Sequence, residues 1–380
     1  MILYVIIGVL SMGLACFIDN RGLLLESSRY DRGRGITRKQ AVNYLSLALI
    51  FVVLFLPAAL RLEVGNDYGS YVDTIHEIYV GGYVVTEPFF NLVVKILCIL
   101  AGGEDYLLVF AFFAGIITWL FLKVIYEQTE EFSMTFFLFM TLGIYFRTYN
   151  TVRYYFVLAV TLYSFRYVLK KEYGKFILLI LFAALFHKSV LVVLPLYIMA
   201  ALPWKKWFMG LLLLGSGFFF LFQDLIMNVA LELYPSYKNT IFLQTESGLS
   251  GNLLTIARCI AVLCFCLICK KEGSLEKQEN QFYFKLNILA IALYICGSFL
   301  PLVGRIGYYL ITAHIFLIPS VLSGIEDRKK KRFWTFLVLL AGIMYFILFL
   351  RTAHEAGVRV LPYKTWLFYE KEFLNAETIF

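Results

Sequence analysis

Arg61, Glu63, Asp67 and Asp73 fall within and just beyond one polar stretch, Arg-Leu-Glu-Val-Gly-Asn-Asp-Tyr-Gly-Ser-Tyr at residues 61–71, set between long apolar runs. A carboxylate beside a Gly-Asn turn can take a proton or orient a hydroxyl. Tyr68 and Tyr71 add flat, hydrogen-bonding surfaces of the kind that hold sugars and head groups. The plainer reading of the stretch is a solvated loop, since Gly and Asn mark loops in any protein. The other polar segments bear on that choice: Glu87-Pro88, Asn150-x-x-Arg153, Phe186-His187-x-Ser189, Arg305-x-x-Tyr308-Tyr309 and Leu361-Pro362-Tyr363.

Arg61, Arg147, Arg153, Arg305, Arg351 and Arg359 stand at or near the ends of apolar runs. A charge left in hydrocarbon there would cost roughly 2.5–3.5 kcal/mol. One such arginine can snorkel to the head groups. Several on one face suggest a clamp, because guanidinium planes match phosphate oxygens two at a time. The expected substrate is therefore a phosphate or pyrophosphate carried on a lipid. His187 could hydrogen-bond phosphate or sugar, act as a base near neutral pH, or simply satisfy a helix turn. Tyr71, Tyr308, Tyr309 and Tyr363 could line a site, but among 26 tyrosines anchoring at a membrane interface is the commoner role.

The elements that must position these residues are membrane helices. With 61% hydrophobic and only 16% charged residues, the chain is no ordinary soluble domain. Its net charge of +8 comes from short Lys/Arg clusters between apolar runs, which is how topology is set, so no nucleic-acid partner is implied. Apolar runs near 2–18, 41–60, 105–125, 132–147, 153–169, 175–187, 188–203, 207–222, 253–269, 286–300, 309–323 and 333–350 give about twelve transmembrane helices. The expected fold is an all-α polytopic membrane protein forming one integral membrane domain over 1–380.

Placing every basic cluster on the cytoplasmic side resolves two ambiguities. Residues 89–101 become an interfacial or re-entrant helix within an extracytoplasmic loop, 61–104. Residues 176–202 become two short helices that turn at His187-Lys188-Ser189. The candidate polar segments then all face outward, as does a second long loop, 223–252, read as a lid or saccharide surface. Six of the seven cysteines lie in apolar runs and Cys269 ends one, and Cys266-x-x-Cys269 reads as helix packing. No zinc spacing or nucleotide-binding glycine loop is present, so neither metal nor cofactor is expected.

Taken together, Arg61-x-x-x-Gly65-x-Asp67-Tyr68-x-x-Tyr71, Glu87-Pro88, Asn150-x-x-Arg153, Phe186-His187-x-Ser189, Arg305-x-x-Tyr308 and Leu361-Pro362-Tyr363 resemble the EpsG family of bacterial polysaccharide polymerases. The resemblance implies a Wzy-like enzyme of GT-C-like fold in the bacterial plasma membrane, working on undecaprenyl-pyrophosphate-linked oligosaccharides in capsule, exopolysaccharide or O-antigen assembly. It also implies membrane lipids, a flippase and a chain-length regulator as partners. The family's usual Arg-Gln is Arg153-Tyr154 here, so the arginine's role carries over and the amide's does not.

On this reading Asp67 is the base or acceptor-orienting carboxylate, with Glu87 second and His187 a further candidate. Arg61, Arg153 and Arg305 bind pyrophosphate, and Asn150, Tyr71, Tyr308 and Tyr363 complete the substrate site. The competing class is a flippase for the same lipid, whose charges would line a cavity reachable from both sides.

Overall fold

The computed structural model describes residues 1–20, 37–205, 210, 214–215, 217–219, 221–233, 249–270, 275–300, 303–355 and 358–368. All regular structure among them is helical, apart from one isolated antiparallel bridge between Arg61 and Thr365. Helices suit a lipid solvent because they satisfy their own backbone polar groups. Among the described residues, five helical stretches are long and apolar enough to cross a membrane: Arg38–Ala59, Tyr106–Gln128, Asn252–Cys269, Val303–Ser323 and Arg328–Thr352. Shorter apolar helices accompany them. Half of the expected span at 207–222 lies outside the described residues.

The chain packs as two compact units. The first comprises Met1–Val160, Leu185–Lys188 and Phe336–Phe380. It holds α1 (Ile2–Ala15), α2 (Arg38–Ala59), α3 (Tyr68–Val80), α4 (Pro88–Ala101), α5 (Tyr106–Gln128), α6 (Phe132–Thr141) and α7 (Ile144–Arg147), with the first half of α8 (Val152–Leu169). Here α2 lies along α5 and α1, and α1 also packs on α6. Thr37 starts α2 with a reciprocal capping box to Gln40. Asp105 starts α5 by accepting from the Leu108 amide at 2.8 Å. Pro88 occupies the first turn of α4, where its missing N–H costs nothing, and Gly102 ends that helix in the left-handed conformation.

Two expectations for this unit change. The run 132–147 is not one helix: it breaks at Gly143, whose φ is +70°, and a Cβ there would sit 3.0 Å from the Phe349 ring. Glycine thus serves both the turn and the close approach. The loop 61–104 contains the short helix expected at 89–101, but also α3. The spacing of Tyr68, Tyr71, Ile75 and Ile78 gives α3 one buried stripe, where a loop was expected.

The second unit comprises Thr161–Ala184 and Ser189–Thr335. It contains the rest of α8, then α9 (Tyr173–Ala184), a 3-10 turn at Lys188–Val192 that reaches into it, α10 (Val193–Ala201), α11 (Gln223–Leu233), α12 (Leu249–Cys269), α13 (Gln278–Cys296), α14 (Val303–Ile311) and α15 (His314–Ser323). The helix α16 (Arg328–Thr352) begins here and ends in the first unit. Phe165, Tyr197, Phe282, Tyr283 and Phe316 form its aromatic core, with Phe165 5.1 Å from Tyr197 and 5.3 Å from Phe282. Asn287 joins α12 to α15, donating to the Cys259 carbonyl at 3.0 Å and meeting His314 Nε2 at 2.7 Å.

The chain breaks between α9 and the 3-10 turn, as the two-helix reading of 176–202 requires. The expected loop 223–252 is only partly a loop. Residues 223–233 form α11 and 249–252 begin α12, while 234–248 lie outside the described residues. Apolar residues dominate α11, and this helical run was masked by the polar segment that follows.

Candidate functional site

Asp67 stands at the N-cap position of α3, though its side chain does not cap that helix. Instead it faces the segment leading into α8. The Thr151 hydroxyl donates to Asp67 Oδ2 at 2.6 Å, and the Asp67 amide donates to Asn150 Oδ1 at 3.0 Å. Oδ1 of Asp67 accepts no hydrogen bond among the described residues, and the side chain is only half-buried.

Gly65 makes this approach possible. Its φ is +101°, and a Cβ on it would overlap the Tyr149 carbonyl and lie 2.9 Å from the Asn150 Cα. A side chain at 65 would therefore be strained and would push the Asp67 loop off the Asn150 strand of chain.

Three residues beyond Asn150, Arg153 turns to the second carboxylate. Its guanidinium donates to Glu87 Oε2 and lies 5.3 Å from the Phe90 ring centroid and 5.8 Å from that of Tyr71. Its backbone amide meets the Tyr71 hydroxyl at 3.2 Å. The other oxygen, Glu87 Oε1, accepts from the Lys188 amide at 3.0 Å and lies 3.3 Å from His187 Nδ1. Nδ1 of His187 faces the carboxylate, and its Nε2 is buried.

Burial of the Glu87 carboxyl acts to raise its pKa. Hydrogen bonding from His187, the Arg153 charge and the Lys188 amide outweigh it, and bring the value from the usual 4.5 down to about 2. Glu87 is thus an anion throughout the physiological range. Its side chain is 11% exposed and that of Arg153 20%, so the pair is largely shielded from water.

Arg61 lies elsewhere in the same unit and is enclosed, with 2% of its surface exposed. Its guanidinium donates to the Ala58 carbonyl and sits over the Phe110 ring at 4.7 Å and near that of Tyr149 at 5.7 Å. Burial lowers its pKa, and the neighbouring hydroxyls of Tyr149, Tyr68, Tyr145 and Tyr363 oppose that shift. So enclosed, Arg61 presents no surface to a lipid phosphate.

A strap at 358–366 covers this region. The Leu62 amide donates to the Lys364 carbonyl and the Trp366 amide to the Leu60 carbonyl, both at 3.0 Å, and the Gly65 amide donates to the Arg359 carbonyl at 2.8 Å. Lys364 pairs with Glu63, and the Tyr363 hydroxyl donates to the Pro57 carbonyl at 2.9 Å. Tyr363 therefore ties the strap to the end of α2.

Arg305 and Tyr308 stand half-buried on α14 in the second unit. Next to them, Tyr309 is buried, its hydroxyl 3.0 Å from that of Ser189 and its carbonyl accepting from the Tyr197 hydroxyl at 2.8 Å.

The first unit thus brings together Asp67, Asn150, Tyr71, Arg153, Glu87 and His187. Sequence reasoning missed Thr151 and the Lys188 amide. Thr151 could have been found as the hydroxyl residue just before the apolar run of α8, a typical place for a helix start. A backbone amide leaves no trace in side-chain patterns.

A family model described as the EpsG family matches residues 44–365, a range that includes every residue of this cluster. Searches of curated proteins and of solved structures gave no match.

Proposed function

Because the chain belongs to the EpsG family of Wzy-like polysaccharide polymerases, we propose that it extends a glycan held on a polyprenyl pyrophosphate by transferring it to a sugar hydroxyl of another lipid-linked repeat unit, at the outer face of the membrane. One observation carries the reading beyond the family. Asn150 and Thr151 hold Asp67, and Arg153 holds Glu87 together with His187, so three residues within 150–153 gather the polar groups of three separate loops.

The chemistry asked of such a site is modest. The acceptor oxygen bonds to the anomeric carbon, the bond from that carbon to the pyrophosphate oxygen breaks, and the acceptor proton passes to a protein base. A pyrophosphate leaves as a weak base, so no strong acid is needed, in contrast to glycoside hydrolysis. Asp67 is the base, because it keeps one carboxylate oxygen open while Thr151 fixes the other.

Glu87, held near pKa 2, is a poor proton acceptor. It serves to orient His187 and Arg153. Arg153, paired with Glu87, supplies the positive charge that stabilises the departing pyrophosphate. Arg61 supports the loop. His187, beside Glu87, is a hydrogen-bonding group or a second base for the substrate.

The test is purified protein in lipid, given a synthetic polyprenyl-pyrophosphate repeat unit without nucleotide sugar, and scored as a product ladder. The expected ladder collapses in Asp67→Asn and Arg153→Ala. Transbilayer movement of the authentic lipid with no ladder would sink the polymerase reading in favour of a flippase. A ladder surviving both substitutions would discard this site.

A further inference from the structure

A second basic feature of the first unit takes no part in the cluster above. A cavity of about 490 Å³ is lined by Met1, Leu350, Arg351, His354, Leu361 and Pro362. Among the described residues no carboxylate lines it, and neither Arg351 nor His354 forms an ion pair. Two of the six lining residues are basic and four are apolar, which suits an anion carrying hydrocarbon better than a free ion.

Its depth in the membrane follows from α16. That helix opens on the basic run Arg328–Arg332, which belongs on the cytoplasmic side. From Arg332 to Arg351 the rise is roughly 28 Å, close to the hydrocarbon thickness of about 30 Å. Arg351 then stands at the head-group level of the opposite leaflet.

We propose that this cavity binds an anionic phospholipid of the outer leaflet, its phosphate between Arg351 and His354 and its first methylenes against Leu350, Leu361 and Pro362. One arginine and one histidine match a single phosphodiester, and a zwitterionic head group would bring its ammonium against Arg351. Leu361 and Pro362 lie directly before Tyr363, which bonds the Pro57 carbonyl, and Lys364, whose carbonyl accepts from the Leu62 amide, so a bound lipid would brace the strap. The inference shares the membrane orientation of the proposed function but not its chemistry, and its test needs no polymerisation.

The experiment is native mass spectrometry of delipidated full-length protein in detergent, titrated separately with dioleoyl phosphatidylglycerol, dioleoyl phosphatidylcholine, a polyprenyl monophosphate and inorganic phosphate. Phosphatidylglycerol is expected to bind tightest. The double variant Arg351→Gln with His354→Gln should weaken it about tenfold or more. Arg351→Lys, which keeps the charge, should weaken it less, and Arg332→Gln at the other end of α16 should leave it unchanged. Since the altered side chains are exposed, the fold should persist, as a matching size-exclusion profile would verify. Equal binding of phosphatidylcholine, tighter binding of the polyprenyl phosphate, comparable binding of inorganic phosphate, or full retention in the double variant would each overturn the assignment.

Discussion

Replacing Glu87 with Gln removes the charge that joins Arg153 to His187 while keeping the shape and one carbonyl acceptor. The magnitude can be worked from its ionisation. The folded protein holds the carboxyl at about 2 against an ordinary 4.5. At about 1.4 kcal/mol per pH unit, that difference contributes roughly 3 kcal/mol to folding. Because the folded pKa is depressed, this contribution is complete above pH 4.5 and is lost as pH falls towards 2. By linkage about 2 kcal/mol should be gone by pH 3.

The measurement is reversible chemical denaturation in mixed micelles at several values between pH 6 and pH 2.5, wild type beside Glu87→Gln. At pH 6 the variant should be less stable by roughly 2–3 kcal/mol, because Arg153 stays charged and largely shielded without its partner. The gap should close as the pH drops, since the wild type then loses what the variant never had. A gap that stays constant from pH 6 to pH 2.5 would refute the argument, because Glu87 would then be no better stabilised as an anion in the folded protein than in the unfolded chain.

Asp67→Asn preserves an oxygen for the Thr151 hydroxyl and should leave the melting temperature within a degree or two, yet lower the polymerisation rate about 100-fold or more, measured as ladder formation. Gly65→Ala forces a side chain into positive φ and against Tyr149 and Asn150, and should destabilise by roughly 2–4 kcal/mol in the same denaturation assay. Arg61→Ala loses packing against Phe110 and Tyr149 and should cost roughly 2–4 kcal/mol. The surviving folded enzyme should keep its KM for lipid substrate, whereas a rise of tenfold would return Arg61 to the substrate site. Tyr363→Phe removes one hydrogen bond to the Pro57 carbonyl and should cost about 1 kcal/mol, read as a shift in denaturation midpoint.

Composition and the apolar runs alone determined that this is a helical membrane protein, because hydrocarbon tolerates no other use of such residues without closing a barrel. Residue types also nominated most of the cluster: Asp67, Glu87, Asn150, Arg153 and His187 are polar groups set against apolar runs, and such exceptions stand out in a sequence. Tertiary structure alone decided how they divide the work. Arg61 and Arg153 look alike in sequence, each a guanidinium at the edge of an apolar run, but the strap and the tyrosines enclose one while the other meets a carboxylate. Asp67 and Glu87 look alike too, and differ because donors from His187, Lys188 and Arg153 converge on Glu87 from distant parts of the chain. Ionisation and access depend on which groups lie within a few ångströms, and sequence distance carries no record of that when the partners are some 65 to 100 residues apart.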